Sequence, residues 1–549
     1  MDKPGLQIHP DDDLVVALRD LRKGEEVHVN GQSIRLVDDV GRKHQFARRD
    51  VARGDTVRMY GVTVGRATRA VARGGAVRRD NLEHASASYE SRAGAFTWEP
   101  PDVSPWADRT FDGFVRADKS VGTANHWVVV PMVFCENRNL EVLREAMLEA
   151  LGYSQCGPYE DLVRRLAEGY RAGTPSAELL ELDAAEGPPQ GEPRLFPHVD
   201  GVKFLLHNLG CGGMRVDSTN LCHLLAGYIN HPNVAGATIL SLGCQNAEVQ
   251  VLRDELHRRN PRFEKPLLVF EQQSYPNERA MMSEVVKRTF VGLAAANEAR
   301  RRAAPLSKLT VGVECGASDG FSGISANPVI GQASDLLVAL GGSAILSEFP
   351  ELCGVEQELV DRCRDKETAD RFVALMRAYE AQARAVGGSF DMNPSPGNIR
   401  DGLITDAIKS AGAARKGGTS PVVAALDYPQ AVTEPGLNLL CTPGGDIEST
   451  TALAGAGANL ILFSTGLGTP TGNPVAPVIK VSSNRATAER LPDMIDFDAG
   501  AVVTGEAGIP ELGGSLLDLV IETASGRYTP KAVRLGQDDF IPWKRGVSL

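Results

Sequence analysis

Leu309-Thr-Val-Gly-Val-Glu314 runs directly into Cys315-Gly-Ala-Ser-Asp-Gly-Phe-Ser-Gly-Ile-Ser-Ala-Asn-Pro328. The apolar run reads as a buried strand, and the loop after it sets a thiol, a carboxylate, hydroxyls and an amide among glycines. Ligands of open α/β sheets bind beyond the carboxyl ends of the strands, so this juxtaposition predicts a fold class and a binding place together. Two further segments repeat the design. Phe204-Leu-Leu-His207 leads into Asn208-Leu-Gly-Cys211-Gly-Gly213, and Ala237-Thr-Ile-Leu-Ser-Leu242 leads into Gly243-Cys244-Gln-Asn246. Each of the three strand ends delivers one cysteine.

Working outward, Trp127-Val-Val-Val-Pro-Met-Val-Phe134 is another apolar strand, and residues 139–151 follow it with helical spacing at Leu140, Leu143, Met147 and Leu151. Such alternation predicts α/β units with mainly parallel sheets covered on both faces. Ahead of them, residues 1–90 alternate short β-like runs with glycine turns, which predicts a small β-rich domain. The division expected is a β domain over 1–90, a Pro-containing linker over 91–112, an α/β domain over 113–390 and a C-terminal α/β domain over 391–549. Residues 155–198, acidic and Pro-rich around Glu186-Gly-Pro-Pro189, are expected as a surface insertion, and residues 355–386 as helices.

Composition narrows the partners. The chain has 549 residues, a formal charge of -12 and 42% hydrophobic residues, enough for several cores. A pI near 5.5 argues against nucleic acid or an anionic membrane as partner and leaves a small molecule, anionic ones included if a pocket is locally basic. Nine cysteines without a C-x-x-C pair or a visible secretory signal predict reduced thiols and the cytoplasm. The long uncharged run over 450–479 holds too many Gly, Pro, Thr and Asn residues for a membrane span and reads as buried strand and loops. Self-association is left open.

All ten histidines lie between His9 and His257, so the second half must work with Lys, Asp, Glu or Cys. Its lysines of interest are Lys409 and Lys416. The second opens Lys416-Gly-Gly-Thr-Ser-Pro421, a cation beside backbone amides and hydroxyls, which suits a carboxylate or phosphate. Bland readings stand beside these: buried structural cysteines, satisfied structural histidines at His44 and His207, and solvated lysines. Residue patterns alone lead to an α/β enzyme with an anionic ligand and no named reaction.

Longer ordered pieces name one. The chain resembles the altronate dehydratase / galactarate dehydratase family through Gly113-Phe-Val-Arg-Ala-Asp-Lys-Ser-Val-Gly-Thr123, Pro131-Met-Val-Phe-Cys-Glu-Asn-Arg-Asn139, His207-Asn-Leu-Gly-Cys-Gly-Gly213, Ser318-Asp-Gly-Phe-Ser-Gly323, Asn393-Pro-Ser-Pro-Gly-Asn398 and Lys416-Gly-Gly-Thr-Ser-Pro421. The N-terminal unit is similar to the SAF domain that begins these enzymes. The resemblance implies dehydration of a sugar acid to a 2-keto-3-deoxy acid, D-altronate being the first choice. Galactarate or another aldarate, a 2-hydroxy sulfonate sulfo-lyase activity and a non-catalytic sugar-acid sensor are the alternatives. It also implies a metal, iron as Fe2+ or as an iron–sulfur cluster with Mn2+ as a substitute, for which Cys211, Cys244 and Cys315 are the expected ligands. Lys416, Thr419, Ser420, Ser318 and Asn327 are expected to bind substrate. Lys409, His44, His207 and Asp319 are the expected acids and bases, His44 arriving on a β domain that closes as a lid. Two positions depart from the family: Leu467 in Gly466-Leu-Gly-Thr-Pro470 and Gln45 after His44 stand where cations are expected, which points toward a monocarboxylate.

Overall fold

The computed structural model describes residues 3–90, 94, 96–154, 158–184 and 193–548. The first unit is β-rich. A four-stranded antiparallel sheet is flanked by two hairpins, Glu26–Val29 with Gln32–Arg35 and Thr56–Met59 with Val62–Ala67. Their two-residue loops are Asn30-Gly31 and Tyr60-Gly61, with φ of 48° and 77° and of 61° and 82°. Left-handed backbone at both loop positions gives the twist that two-residue hairpins need, which accounts for a glycine in each.

Two parallel sheets follow. In the smaller, the order is Gly201–Phe204, His126–Pro131, Val234–Ser241 and Leu267–Glu271. Every residue of His126–Pro131 is buried, as a strand covered on both faces requires. An antiparallel trio, Thr110–Val115, Val121–Gly122 and Arg301–Pro305, brackets this unit at its entry and exit.

The larger sheet has seven parallel strands in the order Val422–Leu426, Gly436–Leu440, Ser343–Leu346, Thr310–Gly316, Leu460–Thr465, Val478–Ser482 and Phe497–Asp498. It corrects the expected division at residue 390. Strands from both sides of that point hydrogen-bond in one sheet, because Ser343–Leu346 pairs with Gly436–Leu440 and Thr310–Gly316 with Leu460–Thr465. Thr310–Gly316 sits at the centre. The chain leaves it toward Ser343–Leu346 on one side and returns to Leu460–Thr465 on the other, so the strand order switches direction there, where open sheets leave a crevice.

The helices expected over 355–386 are Glu356–Arg362 and Lys366–Ala385. The insertion carries the helix Pro158–Arg171, with Tyr159 and Tyr170 exposed; Glu186-Gly-Pro-Pro189 lies outside the described residues. The uncharged run over 450–479 begins inside the helix Asp446–Gly455 rather than in a loop. Among the described residues no helix is long and apolar enough to cross a membrane. The β-rich unit docks on the large sheet's domain: Lys43 Nζ lies 2.9 Å from Asp319 and 3.0 Å from Asp401, and Thr405 Oγ1 donates to Val64 O over 2.9 Å.

Candidate functional site

The carboxyl ends of three adjacent strands converge. Thr310–Gly316 supplies Glu314 and Cys315, the segment after Ser343–Leu346 supplies Glu348 and Glu351, and the turn after Gly436–Leu440 supplies Asp446. Glu348 has left-handed backbone, φ 63°, as does Ala317, φ 49°. Neither residue relieves such strain by lacking a Cβ, and strain of this kind is held where a side chain must be aimed.

Against this acidic rim comes the helix Asp406–Ala413, started by the Thr405 side chain, which accepts from Ile408 N at 3.2 Å, and extended by the 3-10 turn Ala414–Gly417. Lys409 and Lys416 are seven residues apart, close to two helical turns, so both point the same way. Lys409 Nζ donates to Glu351 Oε1 at 2.5 Å and to Asn393 Oδ1 at 3.0 Å. Lys416 Nζ contacts Glu348 and approaches Cys315 Sγ to 2.8 Å. One donor atom each of Cys315, Glu348 and Glu351 lies within 4.8 Å of the other two. Ser449 and Ser347 donate to Glu314 Oε2 at 2.6 and 3.2 Å.

The charges interlock. Burial alone would lower both lysines, but the facing acidic groups, Glu351 and Cys315 for Lys409 and Cys315 and Glu348 for Lys416, raise them above the ordinary value and hold both as ammonium ions. Burial pushes Glu351 upward, yet Lys409 and Lys416 outweigh it and leave its carboxyl below the usual range. Glu314 and Glu348 go the other way, raised mainly by burial, Glu348 adding to the shift of Glu314. Burial, then Glu348, raises the Cys315 thiol well above its ordinary value. Asp446 is pushed up to about 7 by burial and by the negative field of Glu348 and Glu351. Four carboxyl groups thus face two ammonium groups, and the deficit of positive charge is met here by protonation.

A cavity of about 640 Å³ opens on this array. Cys315, Gly316, Lys409, Asn393, Gly444 and Asp446 form its polar end, and Tyr379, Ala383, Val386, Phe390 and Met392 its apolar mouth. Gly316 has no room for a side chain, since a Cβ there would stand 2.1 Å from Asp446 Oδ2. The cavity is large enough for a six-carbon acid.

Of the residues expected from sequence, the structure gathers Cys315, Lys409 and Lys416 here and disperses the rest. Cys211 and Cys244 are exposed at the ends of the smaller sheet. Their loops touch through Asn246 N and Gly210 O at 3.0 Å, and Cys211 lines a separate cavity of about 280 Å³. Neither belongs to a ligand group with Cys315 among the described residues, so the shared three-cysteine site is corrected. His207 is a structural histidine: its Nδ1 accepts from Leu209 N at 3.2 Å, leaving Nε2 to donate to Pro131 O at 2.8 Å, and burial lowers it to about 4. Asp319 is fully buried and saturated by Ser322, Phe321 N, Ser483, Asn484 and Lys43, which makes it an anchor for its own loop and for the β-rich unit.

His44 stands at that same junction, its Nε2 3.0 Å from Arg400 O, and is not among the residues lining the cavity. The Thr419-Ser420 turn does cradle a carboxylate, but the carboxylate is the chain's own Asp335, which accepts from Thr419 N at 2.9 and 2.8 Å, from Thr419 Oγ1 at 2.8 Å and from Ser420 N at 2.9 Å. Asn327 bonds Gly412 O and Ser464, and Ser318, although buried without a partner for its hydroxyl, is outside the cavity lining. Gln45 is buried and donates to Gly402 O at 2.9 Å; Leu467 lies beside the Asp319 loop, its N–H on Ala317 O at 3.2 Å. Gln45 therefore sits at the domain junction, whereas Leu467 stands directly behind Ala317 of the cavity lining, and neither is itself a lining residue. Glu348, Glu351 and Asp446 are the residues that sequence reasoning missed.

Comparison with known proteins places each unit. Residues 3–85 match the altronate/galactarate dehydratase SAF domain, residues 113–297 the D-galactarate dehydratase/altronate hydrolase second domain, and residues 306–548 the D-galactarate/altronate dehydratase C-terminal domain. The chain is 34% identical over 547 residues to an altronate dehydratase of Escherichia coli, covering 99% of each. It is 32% identical to an altronate dehydratase of Bacillus subtilis over the full length of both, and 28% identical to the L-threo-forming galactarate dehydratase of Escherichia coli over 95% of this chain and 93% of that enzyme.

Proposed function

The chain belongs to the D-galactarate/altronate dehydratase family, and from that membership we propose that it is a hydro-lyase converting D-altronate to 2-keto-3-deoxy-D-gluconate and water. The observation that carries the reading is the presence, in the lining of one cavity, of a lysine held protonated and a carboxyl that titrates near neutrality, Lys409 and Asp446. Dehydration of a 2,3-dihydroxy acid needs both. Asp446 takes the proton from C2, the C3–O bond breaks, and the departing hydroxide leaves as water with a proton from Lys409. The enol that remains takes a proton at C3, gives up its C2 hydroxyl proton and becomes the keto acid. Glu351 and Asn393 hold the Lys409 ammonium in place.

An aldonate cannot enter a cavity with surplus negative charge unless protons or a cation neutralise it. The residues fit a divalent cation. Cys315, Glu348 and Glu351 present a thiol and two carboxylates within 4.8 Å, and Glu314 Oε1 and Glu348 Oε1 are buried without a partner. One such ion with the two lysines would offset four of the five acidic groups, the four carboxyls and the Cys315 thiol, and the fifth keeps its proton. Sulfur with carboxylate favours Fe2+, with Mn2+ as the harder substitute, over Mg2+. When bound, it would offset the negative charge that builds on the substrate carboxylate as the C2 proton leaves.

The test is turnover of anaerobically purified, iron-loaded protein against a panel of aldonates and aldarates, read as 2-keto-3-deoxy acid. D-altronate is expected to give the highest kcat/KM. No product from any acid in the panel, with Fe2+ or Mn2+ supplied, would refute the assignment.

A further inference from the structure

A second group of ligand-type side chains lies outside the cavity, where the β-rich unit meets the large sheet's domain. His84 directly follows the last strand of the β-rich unit, Leu82–Glu83. Cys353 ends the turn Phe349–Leu352, and Asp406 is the first residue of the helix Asp406–Ala413. One donor atom from each lies within 4.8 Å of the other two. The backbones are drawn together to allow this. At Gly354 the left-handed backbone, φ 94°, favours glycine, and a Cβ would press on both neighbours, 3.3 Å from Ser86 and 3.4 Å from Ala407.

What marks the group as more than a junction is its unfilled bonding. Asp406 is 1% exposed, and apart from the neighbouring Cys353 thiol its carboxylate oxygens have no hydrogen-bond partner; His84 Nδ1 is likewise buried and unpartnered. The helix does not use Asp406 as its cap, because Thr405 already fills that role. A buried carboxylate whose one donor is a weak thiol is costly, and an imidazole nitrogen, a sulfur and a carboxylate oxygen converging from three chain segments are the arrangement a bound cation would satisfy.

We infer that His84, Cys353 and Asp406 form a binding site for a divalent transition-metal ion, zinc in the first instance. The donor set is one imidazole nitrogen, one sulfur and one carboxylate oxygen. It suits Zn2+ or a neighbouring first-row ion and disfavours Mg2+ and Ca2+, which take oxygen. On binding, the Cys353 thiol loses its proton to solvent and the sulfur binds as thiolate. The site would clasp the end of the β-rich unit to two elements at once, close to the chemistry in each. Cys353 is two residues beyond Glu351, and Asp406 is three residues, about one helical turn, before Lys409. The proposed site ties together the backbones that carry those two side chains, and it does not depend on which acid is dehydrated.

The test uses the full chain, stripped with chelator and titrated anaerobically with Co2+. Wild-type protein is expected to develop a sulfur-to-cobalt charge-transfer band and to release the ion to added Zn2+. The band from this site should persist in Cys315→Ser, which alters only the cavity thiol. It should disappear in Cys353→Ser, and His84→Gln and Asp406→Asn should each bind one equivalent of Co2+ fewer than wild type. Circular dichroism of the metal-free variants checks that they are folded; should Cys353→Ser fail that check, His84→Gln decides alone. Unchanged cobalt stoichiometry in folded His84→Gln, or a thiolate band that vanishes only with Cys315→Ser, would overturn the site.

Discussion

Replacing Lys409 by Met separates the two things this lysine does. Glu351 is 1% exposed, and Lys409 is its principal counter-charge, 2.5 Å away. Without the ammonium, the carboxylate must either stay ionised in a poor environment or take up a proton. The second route sets a ceiling on the cost. An unfolded carboxyl pKa of about 4.3 leaves a gap of about 2.7 units at neutral pH, and at about 1.36 kcal/mol per unit the penalty is about 3.7 kcal/mol. This agrees with the range of about 3–5 kcal/mol for breaking one side of a buried pair. The sign follows from the direction of the shift. In the variant the folded-state pKa of Glu351 is raised, so the deficit grows as pH rises above the unfolded value and shrinks toward about 1 kcal/mol at about pH 5. Thermal unfolding of chelator-treated protein at both pH values measures it. Adding Glu351→Gln removes the stranded charge and should restore most of the lost stability. Turnover should not return: loss of the proton donor is expected to lower kcat by 10²-fold or more, about 2.7 kcal/mol, in the single and the double variant alike. Wild-type kcat in Lys409→Met, together with a stability deficit that ignores pH, would refute both halves of the reasoning.

The strand-end rule carried the sequence reading to the correct sheet, and its limits are physical. Thr310–Gly316 is central and its loop is at the site, as the apolar run followed by polar residues implied. The same pattern recurs at Ser343–Leu346 before Glu348 and at Gly436–Leu440 before Asp446, so these acids were legible in principle. Cys211 and Cys244 mark two strand ends of a different sheet, and nothing local in a sequence says which sheet a parallel strand will join. Lys409 and Lys416 were recognisable from residue type, but their condition was not. A desolvated lysine loses its proton only if no acid faces it, and the facing acids arrive from segments about sixty residues upstream. The Lys416-Gly-Gly-Thr-Ser420 loop shows the same limit. Its amides do bind a carboxylate, yet burial of Asp335 on the neighbouring helix Ala326–Ala339 supplies that ligand from within the chain.

Three further outcomes are expected. Asp335→Asn should lower the thermal midpoint, because Asn keeps one acceptor oxygen where the Thr419 and Ser420 amides now share two, and bonds to a charged acceptor are each worth about 1.5–3 kcal/mol; an unchanged midpoint would show that the turn is held by other contacts. Lys43→Met strands the fully buried Asp319 and should loosen the β-rich unit, read as faster proteolysis between residues 86 and 112, whereas unaltered cleavage would mean that the Thr405 and Gln45 bonds suffice. The last concerns Asp446, whose carboxyl is pushed up to about 7 by burial and the neighbouring acids. A base must be ionised to act, so kcat/KM should rise through about pH 7 and level off above it, and a divalent ion in the cavity should move that limb toward acid by relieving the negative field. Asp446→Asn preserves shape and removes the base, so turnover should fall by about 10²- to 10⁴-fold and the acid limb should vanish with it. A limb that persists unchanged in folded Asp446→Asn would assign proton abstraction to another residue, even if the rate itself had dropped.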